Sequence, residues 1–326
     1  MKTAIVVLVL LILLECLVLL FWKWKKESFT TDPTAKPTII NPSANHMANH
    51  PMANHPTFLN HTTSEIPKII WTYWDSDQIP EVVQLCIETW KKTNPDYTIH
   101  IVSKKTLNSY LPGNTIFSFP HCKSSPARTS DFIRLYLLYK YGGFWIDASI
   151  ILNGSLNYFL KIQEESKCEF IGYYLSSFTT RPEFPVIESW FLVAVPKSKV
   201  VKVWLDCFLL INNYVWLESY IDWVRNEEKV DLQKISSPIY LSIHVACQHM
   251  LQKFLTPEEI QSKIYFEKAE DGPFKYLAEN NWDSEKALLS TCSNPNLKTL
   301  VFKMRGKERS TIERNKELLC IFSESL

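Results

Sequence analysis

Asp147 is a carboxylate inside an otherwise apolar run, Phe144 to Leu152, and Arg134 is a cation in a run that is nearly all apolar after Asp131. A charge in such surroundings is costly unless an opposite charge, a metal or hydrogen bonds match it. Asp131 and Arg134 are three residues apart, so on a helix they are neighbours on one face. Two readings stay open at this level. In one, Arg134 neutralises Asp131 or Asp147 and the cluster is purely structural. In the other, an acid at the end of a strand is poised for a ligand, because α/β sheets bind ligands beyond the carboxyl ends of their strands.

The elements that must position these residues are legible. Ser130 is a natural N-cap and Asp131 suits a first helical turn. Phe132 to Tyr141 is apolar enough for a buried helix, and Gly142-Gly143 stops it, with Gly142 where a left-handed cap would sit. Phe144 to Leu152 reads as one buried strand. Alternation then puts Trp145, Asp147, Ser149 and Ile151 on one face, and Phe144, Ile146, Ala148 and Ile150 on the other. Upstream, Ile66 to Trp74 is a β-rich run, and Asp75 to Gln78 makes a turn. Pro80 opens a helix through Val83, Cys86, Ile87 and Trp90 that closes at Asn94-Pro95, and Tyr97 to Val102 alternates like a second strand. Strand, helix, strand is the signature of a parallel α/β unit.

The chain has 326 residues and a formal net charge of +1, so nothing marks it as a nucleic-acid binder. Residues 1–3 form a short tail. Ala4 to Trp22 is an apolar run broken only by Glu15, long enough to span a bilayer as an N-terminal anchor. Lys23, Lys25 and Lys26 follow it and only Lys2 precedes it, so the positive-inside rule would place the rest in the cytosol. Many single-span proteins facing a Golgi lumen are arranged the other way, and the sequons at Asn60 and Asn153 do not decide the side. Residues 23–64 read as a stalk without hydrophobic period, carrying the tandem Met47-Ala-Asn-His-Pro51, Met52-Ala-Asn-His-Pro56. Residues 65–326, roughly 260, can form one large domain. The eight Cys are well spread, with no CxxC pair; Cys16 lies in the apolar run, and the other seven, an odd number in no evident framework, read as reduced, buried thiols.

The run Ser130-Asp131-Phe-Ile-Arg134, continued by Gly142-Gly143-Phe-Trp145-Ile-Asp147-Ala-Ser149, resembles the S-D-x-x-R … G-G-x-[YW]-x-D-x-[DST] segment of sugar transferases with a DxD-type motif. It is most similar to the capsular polysaccharide synthesis glycosyltransferases, and more distantly to glucosylating clostridial toxins and yeast mannosyltransferases. Ile66 to Trp74 and Ile187 to Pro196 also resemble that family, so the likeness spans most of residues 65 to 306. The resemblance implies a GT-A-like, Rossmann-type α/β domain with helical additions. It also implies a nucleotide-sugar donor, a divalent cation (Mn2+ or Mg2+), a glycan, lipid or protein acceptor, and hexose transfer with retention.

By the same resemblance, Asp131 and Arg134 hold the donor sugar, and Asp147 contacts ribose, sugar and metal. Trp145 lines the donor pocket and Trp74 stacks on the base. Ser149 replaces a carboxylate that is a metal ligand in many relatives. A hydroxyl binds a hard cation more weakly, so the alternative to an enzyme is a degenerate protein that binds a glycan or nucleotide sugar. No second carboxylate stands out as a nucleophile. Lys303 to Arg309 is a basic loop after a short β-like run, Thr299 to Phe302. It reads either as a flap over the diphosphate, with Lys303 touching the donor, or as a solvated turn. Lys199 to Val224 and Pro238 to Leu255 read as helices. On the second, His244 and Gln248 are four apart and are either ordinary satisfied polar residues or members of a site.

Overall fold

The structure, a computed structural model, describes residues 65–323. The expected anchor at 4–22 and stalk at 23–64 lie outside the described residues. Among the described residues no helix is long and apolar enough to cross a membrane.

Eight strands are present among the described residues: β1 (Ile69–Tyr73), β2 (Thr98–Val102), β3 (Gly143–Ile146), β4 (Ile150–Leu152), β5 (Phe170–Tyr174), β6 (Ile187–Ala194), β7 (Ile264–Lys268) and β8 (Val301–Lys303). Six of them form one sheet in the order β2-β1-β3-β6-β5-β7, and β4 pairs with β8 in a small second sheet. β1 runs parallel to β2 and β3, and β5 parallel to β7; β6 is antiparallel to both its neighbours. This is a mixed α/β fold whose central sheet is rich in parallel pairs.

Five helices frame the sheet and its cavity: α1 (Glu81–Thr93), α2 (Pro126–Tyr141), α3 (Lys199–Leu209), α4 (Ser242–Lys253) and α5 (Gly306–Arg314). Strand alternation sends Ile70, Phe144 and Ile146 to one face, where they pack with Val83, Cys86 and Trp90 of α1. Trp71, Tyr73 and Trp145 go to the other, against Phe132, Leu135 and Leu138 of α2, Phe208 of α3 and Cys247 of α4. Each fully buried large apolar side chain contributes on the order of 1.5–3 kcal/mol, so two filled faces hold the sheet rigid between helical layers. The glycine pair fixes the approach of α2 to β3. Gly143 has φ +92°, and a Cβ there would lie 2.6 Å from the Ile69 carbonyl oxygen, so only glycine lets β3 close on β1.

The structure corrects several expectations. Helix α2 starts at Pro126, with Ser125 as its N-cap accepting from the Arg128 amide at 3.2 Å, so Ser130 is not the cap. Proline at the first helical position, with its φ already set, made the earlier start. Gly142 has positive φ (65°), but its ψ of −159° is not that of a left-handed cap. The single strand expected over 144–152 is two strands. Asp147 still donates its amide to the Trp190 carbonyl at 2.9 Å, and the chain then turns through Asp147–Ser149 before joining β8. The helix expected over 199–224 breaks at Leu209 into shorter turns, where Asn212 and Asn213 are poor helix formers. Lys303 to Arg309 is not a loop: Lys303 closes β8, and α5 begins at Gly306. Cys292 and Cys320 are disulfide-bonded, while Cys86, Cys122, Cys168, Cys207 and Cys247 are free and buried.

Candidate active site

The carboxyl ends of β1 and β3, the start of β6 and the end of β8 open onto one cavity of about 1090 Å³. Three helices, α2, α4 and α5, begin at its wall, with Pro126, Leu241 and Gly306 among the lining residues. A helix start carries unsatisfied N–H groups and partial positive charge, so such convergence favours an anion. Arg128, Arg134, Lys303, Arg305 and Arg309 line the same space, together with the carboxylates of Asp75, Asp131, Asp147 and Glu188, so cations outnumber acids by one.

Arg134 joins the predicted residues. It rises from the third turn of α2, buried, with Nη1 2.8 Å from Asp131 and Nη2 3.3 Å from Asp147 Oδ1. Nη2 also donates to Ser130 Oγ at 3.1 Å. The guanidinium carbon stands 5.1 Å from the centre of the Trp145 ring. Trp145 donates its indole N–H to Asp147 Oδ1 at 3.1 Å, so the expectation that these two residues share a face is met. Trp145 is buried beneath the site and does not line the cavity, contrary to the sequence reading; it positions Asp147 and Arg134 from below. On its other oxygen Asp147 accepts from Lys303 Nζ at 2.9 Å. Burial pushes the Asp147 carboxyl up, but the charges of Lys303 and Arg134 and the bonds from Lys303 and Trp145 outweigh it, and the net shift is downward. Asp131 shifts the other way: burial raises it more than Arg134, Arg128 and His244 lower it.

Trp74 lies at the end of β1 on the cavity wall, its indole N–H bonded to the Gln78 carbonyl at 3.0 Å. Arg309 stands over its ring at 5.7 Å, and Arg305 over that of Trp282 at 5.4 Å, so two aromatic faces with cationic neighbours flank the opening. Ser149 is buried and donates its hydroxyl to the Met304 carbonyl at 2.9 Å.

Several lining residues were missed or left undecided by sequence reasoning. Glu188, at the start of β6, is a nearly buried carboxylate with His244 Nε2 3.8 Å away. Neither ring nitrogen of His244 has a hydrogen-bond partner, and His244 lines the cavity. Its helical neighbour Gln248 is instead a satisfied core residue, bonded to Gln233 and the Phe184 and Pro185 carbonyls. Arg128 spends Nη2 on the Ile239 carbonyl at 2.6 Å and leaves Nε and Nη1 without partners; Arg134 Nε is likewise open. Buried donors left unmatched cost about 1–3 kcal/mol each, and a polar ligand would relieve that. The logic that singled out Asp147, an acid within an apolar strand, applies equally to Glu188 in Ile187–Ala194 and could have found it.

The donor set does not fit a divalent cation as arranged. Among the described residues no group of three or more His, Cys, Asp or Glu gathers as a cation cage. The two expected ligands, Asp147 and Ser149, both lie within hydrogen-bond reach of the Lys303 ammonium.

Among known protein families, the one described as capsular polysaccharide synthesis protein matches residues 47–317. The O-glycosyltransferase braB of Annulohypoxylon truncatum is 28% identical over 157 residues, 43% of this chain and 37% of that protein. The inositol phosphoceramide mannosyltransferase 3 of Schizosaccharomyces pombe is 27% identical over 110 residues, 32% of this chain and 30% of its own. The chain thus spans less than two fifths of the length of these relatives. Among solved structures, the PaToxG glycosyltransferase is similar at TM-score 0.34 and 15% identity, covering 80% of this chain and 87% of its own. A glycosyltransferase involved in glycosylation of the major capsid of PBCV-1 gives TM-score 0.39 at 12% identity, covering 77% and 97%.

Proposed function

The chain belongs to the capsular polysaccharide synthesis protein family, and from that premise we propose that it is a membrane-anchored glycosyltransferase of GT-A type. It moves a hexose from a nucleotide-sugar donor to a glycan, lipid or protein hydroxyl. The observation that carries the reading is the placement of Asp147 and Arg134 at the carboxyl end of β3. There they line a cavity on which three helix starts and five cationic side chains converge.

The chemistry asks for such a site. The departing group is a nucleoside diphosphate, and its oxygens gain charge as the glycosidic bond breaks. Fixed cations aimed at that charge lower the barrier without reorganising. Lys303, Arg134 and Arg305 supply them. Asp147 and Asp131 accept from sugar and ribose hydroxyls, and the open N–H groups of Arg134 and Arg128 donate to donor oxygens. Trp74, with Arg309 over it, takes the base. Glu188, close to His244, is the buried acid on the β6 wall and receives the acceptor's proton. Transfer proceeds with retention, the acceptor oxygen attacking the anomeric carbon on the face from which the diphosphate departs, and the anomer of the product, read by NMR, will test this.

The catalytic domain works in an oxidising compartment, on the lumenal side of its membrane. The support is the Cys292–Cys320 bond, a feature rare in proteins kept among cytosolic thiol reductants.

The test is a panel of nucleotide sugars offered to the purified chain, with binding read by calorimetry and turnover by release of nucleoside diphosphate. One or more donors should bind and turn over, and Asp147→Asn should abolish turnover in a folded protein. Full activity in that variant would remove Asp147 from the mechanism, and failure of every donor to bind would remove the transferase reading.

A further inference from the structure

Asp147 and Ser149 are the two oxygen donors from which a cation site would be built, and Lys303 stands on both. Its ammonium nitrogen is 2.9 Å from Asp147 Oδ2 and 3.3 Å from Ser149 Oγ. Oδ1 of the same carboxylate is taken by Trp145 Nε1 and Arg134 Nη2, at 3.1 and 3.3 Å. Ser149 Oγ donates its hydrogen bond to the Met304 carbonyl. A metal ion placed between Asp147 and Ser149 would meet one carboxylate already shared by two cations, with an ammonium in the way.

The ammonium is not a casual visitor. Lys303 is buried, at 7% exposure. Its backbone is fixed on every side: it sits in register with Ile150 across the β4–β8 pair, donates its amide to the Pro273 carbonyl at 3.1 Å, and accepts from Tyr276 Oη at 2.9 Å. Nζ stands 5.9 Å from the centre of the Trp190 ring. The charges also balance. Asp131 and Asp147 together meet Arg134 and Lys303, two negative charges against two positive, and a divalent ion in place of the ammonium would leave one positive charge in excess. Lysine further brings up to three donors, of which Asp147 and Ser149 use two. The third remains for an anionic oxygen in the cavity that Lys303 lines.

We propose that the Lys303 ammonium, held by Asp147 and Ser149, takes the place of a divalent cation in this protein, binding the diphosphate of the donor and stabilising it as it leaves, so that turnover needs no metal. This rests on the transferase function proposed for the same site. It predicts that turnover with the accepted donor in excess EDTA stays within about 2-fold of that with Mn2+. Lys303→Met should lose on the order of 10²–10³-fold in kcat, with or without Mn2+, while Lys303→Arg should retain part of the activity and remain indifferent to EDTA. A readout independent of turnover is titration of the wild-type chain with Mn2+ alone, monitored by electron paramagnetic resonance. It should show no saturable site at micromolar concentration, whereas Lys303→Ala combined with Ser149→Asp should create one. Circular dichroism of each variant reports folding, and the wild-type titration stands even if a variant fails to fold. Turnover abolished by EDTA and restored by Mn2+ overturns the inference and leaves the transferase reading intact. A tight Mn2+ site in the wild type that Asp147→Asn removes also overturns it. No nucleoside diphosphate binding and no turnover under any condition overturns both.

Discussion

Replacing Arg134 by Met, alone and together with Asp131→Asn, separates what the cluster does for stability from what it does for a ligand. Asp131 is buried, its charge met at 2.8 Å by Arg134, with burial already raising its pKa. Removing the guanidinium strands that carboxylate. Breaking a buried pair by deleting one partner costs about 3–5 kcal/mol. The lower end applies here, because Asp131 can take up a proton and because Asp147, the second acid on Arg134, keeps Lys303 at 2.9 Å. For a domain of this size 1 kcal/mol moves the melting temperature by about 2–4 °C, so Arg134→Met should melt roughly 6–12 °C below wild type. Adding Asp131→Asn removes the stranded charge, and the double variant should recover most of that loss, since neutral replacement of both partners is often close to isoenergetic. Thermal unfolding monitored by circular dichroism measures this directly. In parallel, neither variant should bind or turn over the donor, since stability returns and the ligand contacts do not. Recovery of donor turnover along with stability in the double variant would mean the cluster is structural and the proposed role of Arg134 is wrong. A single variant that melts within about 2 °C of wild type would refute the buried pair itself.

Other perturbations separate the remaining roles. Glu188→Gln should keep donor binding by calorimetry and lose about 10²–10⁴-fold in transfer; unchanged transfer would exclude Glu188 as the proton acceptor. Cys292→Ser should lower stability by about 3–4 kcal/mol on a chain-entropy argument for a separation of 28 residues, and dithiothreitol should reproduce the effect in the wild type but not in the variant. Asp147 has a folded pKa below its unfolded value of about 3.9, so the stability it gains from Lys303 and Arg134 is complete above about pH 4 and is lost as the pH falls through the lower folded value. Stability of Asp147→Asn measured between pH 2 and 5 should therefore fall less steeply than that of the wild type.

The sequence alone determined the local matters. An acid in an apolar strand and a cation in an apolar helix are anomalies that one-dimensional reading detects, because burial follows from hydrophobic pattern and charge resists burial. That found Asp147, Arg134 and Asp131, and the glycine pair between them found the helix–strand junction. Alternation correctly set Trp145 beside Asp147, although it could not show that Trp145 is sealed beneath the cavity rather than lining it. Where the chain turns without Gly or Pro, as at Asp147–Ser149, pattern could not see that one strand was two. The tertiary structure decided everything that depends on pairing between distant segments. Lys303 reaches Asp147 across 156 residues only because β8 is in register with β4. Glu188 and His244 share a wall because the start of β6 meets the start of α4, and Cys292 meets Cys320 because the last helices fold back on each other. These contacts are set by sheet order and packing, whose energies are summed over the whole core. No short window of sequence carries them.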